Sequence, residues 1–238
     1  MTLRLILCLS FIFLSASRGI AGLKRAAMAL PPELSQAERL PVQGRQGWKR
    51  LETLRFGEFT VRDVERSLTK GSSLQILVYE GAKARQSYRF ALADGTGTLW
   101  RGEAETNVRR RAIDVGLEIE LRNRSGFAAR LQPATGTPTV WMLQLTETRE
   151  RSLQGELNTA GRAVTVRGTN RLAGTFLTLD ETTGYVFELA GRPVAAVEVI
   201  NDGAVWLSSE LPADYRGPVT AAASALLLFE ELRKTLPE

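Results

Sequence analysis

From Trp48 onward the chain is written in short apolar stretches separated by turn signals, at spacings of roughly 8–15 residues, which is the rhythm of an all-β domain. Several stretches alternate strictly, as strands do when one face is buried and the other wet. Tyr88, Phe90 and Leu92 alternate with Arg89 and Ala91, and Asp94-Gly95-Thr96-Gly97 supplies the turn that ends the strand. Leu117, Ile119 and Leu121 alternate with Glu118 and Glu120. A turn at Asn123-Arg124-Ser125-Gly126 then leads into Phe127–Leu131. Leu143 and Leu145 follow Trp141, and Val164 and Val166 flank Thr165. Tyr185–Leu189 and Val194–Ile200 form a hairpin about Gly191, and Asn201-Asp202-Gly203 turns the chain into Ala204–Leu207. The pattern predicts about twelve strands between Phe56 and Leu207.

The C-terminus breaks this rhythm. Pro218 suits a first helical position, where its missing N–H costs nothing. The run Val219–Phe229 that follows is apolar around nearly the whole circumference of a helix, and Glu230, Glu231, Arg233 and Lys234 mark a solvated end. A helix over 218–234 is expected. Its apolar part, at about 1.5 Å per residue, is roughly 17 Å long and too short to cross a bilayer. Such a helix needs cover on every side, and the preceding strands are the cover available. The expected fold is therefore mainly β: a roughly twelve-stranded, barrel-like sheet enclosing a hydrophobic C-terminal helix. A β-sandwich with a packed C-terminal helix is the alternative.

The stretch GYVFELAGRPVAAVEVINDGAVWLSSELPADYRGPVTAAASALLLFEELRK, residues 184–234, resembles the last hairpins and core helix of the tubby-like fold. Tubby proteins, phospholipid scramblases and the LURP-one-related proteins share that fold. Carrying the resemblance are the strand at Ala195-Ala196-Val197, a turn containing Pro and Asp, and the Ala/Leu-rich helix. It implies the barrel-and-helix architecture. Tubby proteins bind phosphoinositide through a basic pocket, and scramblases carry a calcium-associated acidic segment. Neither motif has a residue-by-residue counterpart here, so the resemblance implies no site residue.

The first 21 residues follow the secretory pattern: Arg4, an apolar run from Leu5 to Leu14, then small residues at Ser15, Ala16, Ser17, Gly19 and Ala21. The domain layout read from the sequence is a signal peptide over 1–21, a linker or N-terminal arm over 22–47, and one β-rich domain over 48–238. Export to the periplasm or the extracellular space is expected, with no transmembrane helix in the mature chain. The single cysteine, Cys8, lies in the leader, so the mature domain has no thiol and no disulfide and is held by packing alone.

The net charge of +5 falls to about +3 once Arg4 and Arg18 leave with the leader, and bases are interleaved with acids, which argues against nucleic acid. With no histidine and no mature cysteine, the chain lacks the groups for a Ser-His-Asp triad, a thiol nucleophile or most zinc sites. No catalytic residue, metal ligand or cofactor is assigned. Glu118 and Glu120 share a strand face about 7 Å apart, a spacing that a solvated strand explains as well as a carboxylate pair does. Asp180-Glu181 reads as a solvated turn. The densest basic region is Arg109-Arg110-Arg111 with Arg122 and Arg124, and Arg101 nearby. If the flanking strands pair, these guanidinium groups gather on one rim and suit bidentate contact with phosphate. The functional expectation is a non-enzymatic exported envelope protein that binds a lipid, an anionic headgroup or an envelope protein partner. The alternatives are a carboxylate-based hydrolase and a structural accessory protein without a ligand.

Overall fold

The computed structural model describes residues 26–45, 53–66, 78–79, 84–107, 126–136, 139–148 and 152–229. Thirteen strands and one α-helix fall among them. They are β1 (Glu38–Pro41), β2 (Leu54–Phe56), β3 (Phe59–Arg66), β4 (Val78–Tyr79), β5 (Ala84–Asp94), β6 (Gly97–Asn107) and β7 (Gly126–Pro133). They continue through β8 (Trp141–Glu147), β9 (Leu153–Thr159), β10 (Arg162–Thr169), β11 (Gly184–Leu189), β12 (Arg192–Glu198), β13 (Ala204–Leu207) and α1 (Ala213–Leu228). Every pairing is antiparallel. Apart from β4, which pairs only with β5, the strands form one twelve-strand path running β1-β13-β12-β11-β10-β9-β8-β7-β6-β5-β3-β2.

The two ends of that path meet. Beyond β1 the chain continues to Gln43, which exchanges backbone hydrogen bonds with Arg55 of β2, at 2.8 and 3.1 Å. The sheet is thereby a nearly closed barrel rather than a sandwich. The N-terminal segment supplies the closing stave: Leu40 and Val42 point inward and join Leu54 and Phe56 in the core. Gly44 makes the seam possible. Its φ of +85° disfavours any side chain, and a Cβ there would overlap the Thr53 carbonyl oxygen.

Inward-facing residues from all round the barrel form one core with the helix. The alternating sets Tyr88/Phe90/Leu92, Phe127/Ala129/Leu131, Leu143/Leu145, Val164/Val166 and Val205/Leu207 all belong to it. Every residue from Pro218 to Leu228 is buried, so the helix has no solvated face and lies within the sheet. Small side chains let it fit: Ala221, Ala222, Ala223 and Ala225 on the helix, Ala104, Ala129 and Ala195 on the wall. Thr220 and Ser224 are the two hydroxyls in this stretch. Each donates to the carbonyl four residues earlier, Arg216 at 2.7 Å and Thr220 at 2.9 Å, which removes the cost of burying an unpaired polar group.

The helix starts and stops earlier than the sequence suggests. It begins at Ala213, five residues before Pro218, and residues 213–217 are at least partly exposed. The apolar run marks where burial begins, not where helix begins. Pro218 sits in the second turn, where one i→i−4 bond is forgone. At the far end α1 stops at Leu228 and Phe229 is extended; residues 230–234 of the expected helix lie outside the described residues. Strand side chains meet its last carbonyls instead: the Tyr88 hydroxyl donates to Ala225 at 2.5 Å and the Arg66 guanidinium to Leu228 at 3.1 Å.

Residues 26–37 cross the outer face of β11–β13. Met28 and Leu34 cover Val186, Ala196, Ala204 and Trp206, a second, smaller apolar cluster. These strands are thus covered on both faces, which accounts for their nearly continuous burial. Among the described residues no helix is long and apolar enough to cross a membrane.

Candidate functional site

The barrel has two unlike rims. At one, here the turn rim, β2–β3, β5–β6, β9–β10 and β11–β12 are joined by two-residue turns, and α1 enters. Asp94 closes the β5–β6 turn, where its carboxylate accepts from the Thr96 amide at 2.7 Å, the Thr96 hydroxyl at 2.6 Å and the Gly97 amide at 3.2 Å. These bonds, the Thr96 hydroxyl's first, hold its pKa below the ordinary value. The glycine-rich motif is a structural turn.

The helix mouth at this rim is sealed. Trp141 meets Tyr215 edge-on at 5.7 Å, and the Arg162 guanidinium lies 5.0 Å from the first ring centroid and 5.8 Å from the second. Arg162 also pairs with Asp214 at 3.0 Å. Gly217 passes so close to Trp100 that a Cβ would lie 2.6 Å from the indole nitrogen. Arg216 reaches Glu38 of β1 at 3.4 Å. An edge-to-face ring pair and cation–π contacts stopper this end.

The opposite rim, the loop rim, is where β3, β6, β10 and β12 end and β5, β7, β11 and β13 begin. Asn107 and Gly126 are paired neighbours, so segment 108–125 leaves and rejoins the barrel at this rim. Arg109, Arg110, Arg111, Arg122 and Arg124 lie in that segment, outside the described residues, as do Glu118 and Glu120. Arg101 is described and is not with the rim. It is an exposed wall residue six positions back along β6, about 20 Å from Asn107 at the usual strand rise. Among the tryptophans, Trp100 and Trp141 line the helix mouth, Trp206 lies under Arg39 at 5.6 Å, and Trp48 is outside the described residues.

Two buried carboxylates sit on the outer wall, Glu188 beside the β11–β12 turn of the turn rim and Glu198 at the loop-rim end of β12. Glu188 pairs with Arg167. Glu198 lies under the N-terminal arm and accepts the Met28 amide at 3.1 Å. Burial pushes its carboxyl above the ordinary value. The Met28 bond and the charges of Arg39 and Arg45 oppose that shift without cancelling it. Arg45 itself donates to the Val199 carbonyl at 2.6 Å, tying the arm down beside Glu198.

The connection between β10 and β11, residues 170–183, folds as a small hairpin. Arg171 and Thr178 bridge its limbs, and Leu179 donates to the Asn170 carbonyl at 2.9 Å. At the tip Phe176 and Leu177 are the large exposed hydrophobic residues among those described. Asp180-Glu181 sits on the return limb. No group of three or more His, Cys, Asp or Glu suited to a metal occurs among the described residues. The sequence reading passed over Phe176 and Leu177. Their signal is a bulky apolar pair next to Gly174-Thr175, in a stretch where strand alternation has stopped.

No family model, no curated protein and no solved structure matches the chain.

Proposed function

We propose that the chain is a non-enzymatic, exported envelope protein of tubby-like architecture that binds anionic lipid headgroups at its loop rim. The observation that carries this reading is the filled axis. With α1 packed inside the barrel and an apolar core around it, a ligand must be met on the outside. The turn rim carries four two-residue turns, the seven-residue β7–β8 connection and the ring cluster at the helix mouth. The loop rim bears the longest connections, 108–125 and 170–183 among them, the usual place for binding residues on a rigid β scaffold. The arginine-rich segment 109–124 belongs to one of them, and guanidinium groups suit phosphate geometry. The antiparallel barrel with a C-terminal helix supports the tubby-like reading at the level of architecture.

Replacing Arg109, Arg110 and Arg111 together by Ala should weaken cosedimentation with phosphatidylglycerol-containing vesicles. Binding by the parent should also fall as salt rises, because exposed charges are screened over about 10 Å at 0.1 M. A parent protein that ignores anionic vesicles at low salt removes the lipid reading and leaves a protein partner. N-terminal sequencing of fractionated cells tests export, which predicts a chain starting near residue 18 or 22; intact Met1 in the cytosol refutes it.

A further inference from the structure

Phe176 is 107% exposed and Leu177 68% exposed, in a protein that buries its other described large hydrophobic side chains wholly or in part. The loop that holds them out is built. Thr183 anchors its base through its amide to the Thr169 carbonyl at 2.7 Å and its hydroxyl to the Arg171 carbonyl at 3.1 Å. On the other flank the N-terminal arm braces it. Ala29 donates to the Arg171 carbonyl at 3.0 Å, and Ala173 donates to the Ala27 carbonyl at 2.8 Å. At the tip the Leu177 amide is already satisfied by the Thr175 hydroxyl at 3.0 Å.

We infer that this hairpin is a membrane-surface anchor, inserting Phe176 and Leu177 into the interfacial layer of a phospholipid bilayer. Three features select a bilayer over a protein partner. The apolar feature is a convex tip of two side chains that offers less than about 400 Å², whereas a stable protein interface buries upward of about 1,000 Å². Residues 172–179 contain no ionisable group, so no charge has to leave water when the tip enters the headgroup boundary. Within residues 170–183 Arg171 is outnumbered by Asp180 and Glu181, so the hairpin carries one net negative charge and its attraction to a bilayer is apolar, not electrostatic. The inference deepens the headgroup reading by adding a second, salt-independent contact at the rim from which segment 108–125 also leaves.

The test is cosedimentation of the full chain with vesicles of phosphatidylcholine alone and of phosphatidylcholine with phosphatidylglycerol, at low and high salt. The parent should bind the neutral vesicles and keep that binding at high salt. The double variant Phe176→Ser/Leu177→Ser should lose it by about tenfold or more, the order expected for exposing one large apolar side chain. Both side chains are on the surface, so the variant should keep the parent's thermal melt. Phe176→Trp should add emission that brominated phosphatidylcholine quenches. Binding restricted to anionic vesicles and indifferent to the double substitution overturns the anchor while leaving the arginine reading intact. No binding to either vesicle overturns it too. So does a self-association that the double variant abolishes, which would assign the tip to a protein contact.

Discussion

At the turn rim a closed hydrogen-bonded turn such as Asp94–Gly97 sits beside a helix mouth stoppered by Trp100, Trp141, Tyr215 and Arg162. At the loop rim the connections lengthen, and one of them holds a phenylalanine wholly in water. The same sheet, running continuously between them, produces both. The difference shows where side chains are committed to stability and where they are released from it. At the turn rim the Asp94 carboxylate is spent on its turn and the Arg162 guanidinium on two rings and Asp214. At the loop rim Arg66 and Tyr88 cap the helix, and beyond that line Phe176 and Leu177 are held out in water.

The harshest way to break the comparison is to remove the axis both rims share. Leu227→Asp puts a carboxylate among apolar side chains, and an unpaired buried charge costs several kcal/mol of a typical stability of about 5–15. Loss of a cooperative urea transition is expected; a native-like melt would place the helix outside the core. At the turn rim, Gly217→Val should cost about 1–3 kcal/mol through overpacking against Trp100, read as a lower urea midpoint with unchanged slope. The matched loop-rim change, Phe176→Ser/Leu177→Ser, should stay within about 0.5 kcal/mol of the parent. Equal costs at the two rims would erase the distinction.

A finer contrast lies in acid. Glu198 has a raised pKa when folded, so its carboxyl favours folding below the ordinary value of 4.5 and loses that advantage as pH rises through the folded value. Glu198→Gln keeps an oxygen for the Met28 amide. It should therefore equal or slightly exceed the parent at pH 7, the gap closing near pH 4 in urea titrations. Asp94 has the opposite sign. Its lowered pKa gives support that is present above the ordinary value of 3.8 and is lost as pH falls through the folded value. Asp94→Asn should accordingly show a deficit that is fully present at pH 7 and shrinks as pH falls below 3.8. Parallel pH profiles for the two variants would contradict this assignment.

Much of the barrel was legible because its physics is local. Tyr88, Phe90 and Leu92 alternate because one face of β5 meets the core, and a run with no polar face over Val219–Leu228 can only be a helix covered all round. The closing stave was not legible. Glu38-Arg39-Leu40-Pro41 buries one side chain and ends in proline, so nothing in it says strand. It becomes one by pairing with residues 204–207, far along the chain. The helix start was missed for a related reason: residues 213–217 turn outside the barrel, where burial leaves no mark on the sequence. Of the candidate site, the arginine cluster was visible as composition. The Phe176–Leu177 tip was not, because exposure of an apolar pair depends on the hairpin that lifts it.

The stave also closes two loops of very different length. Its partner on one side is β13, and the helix that fills the axis is the last element among the described residues. One edge of the stave, Gln43 with Arg55, joins residues twelve apart, whereas the other joins residues 38–41 to residues 204–207. The wider closure therefore joins the two extremes of the described sequence, and such distant pairings are slow to find. The barrel is latched by its first described strand against its last, with the helix held inside.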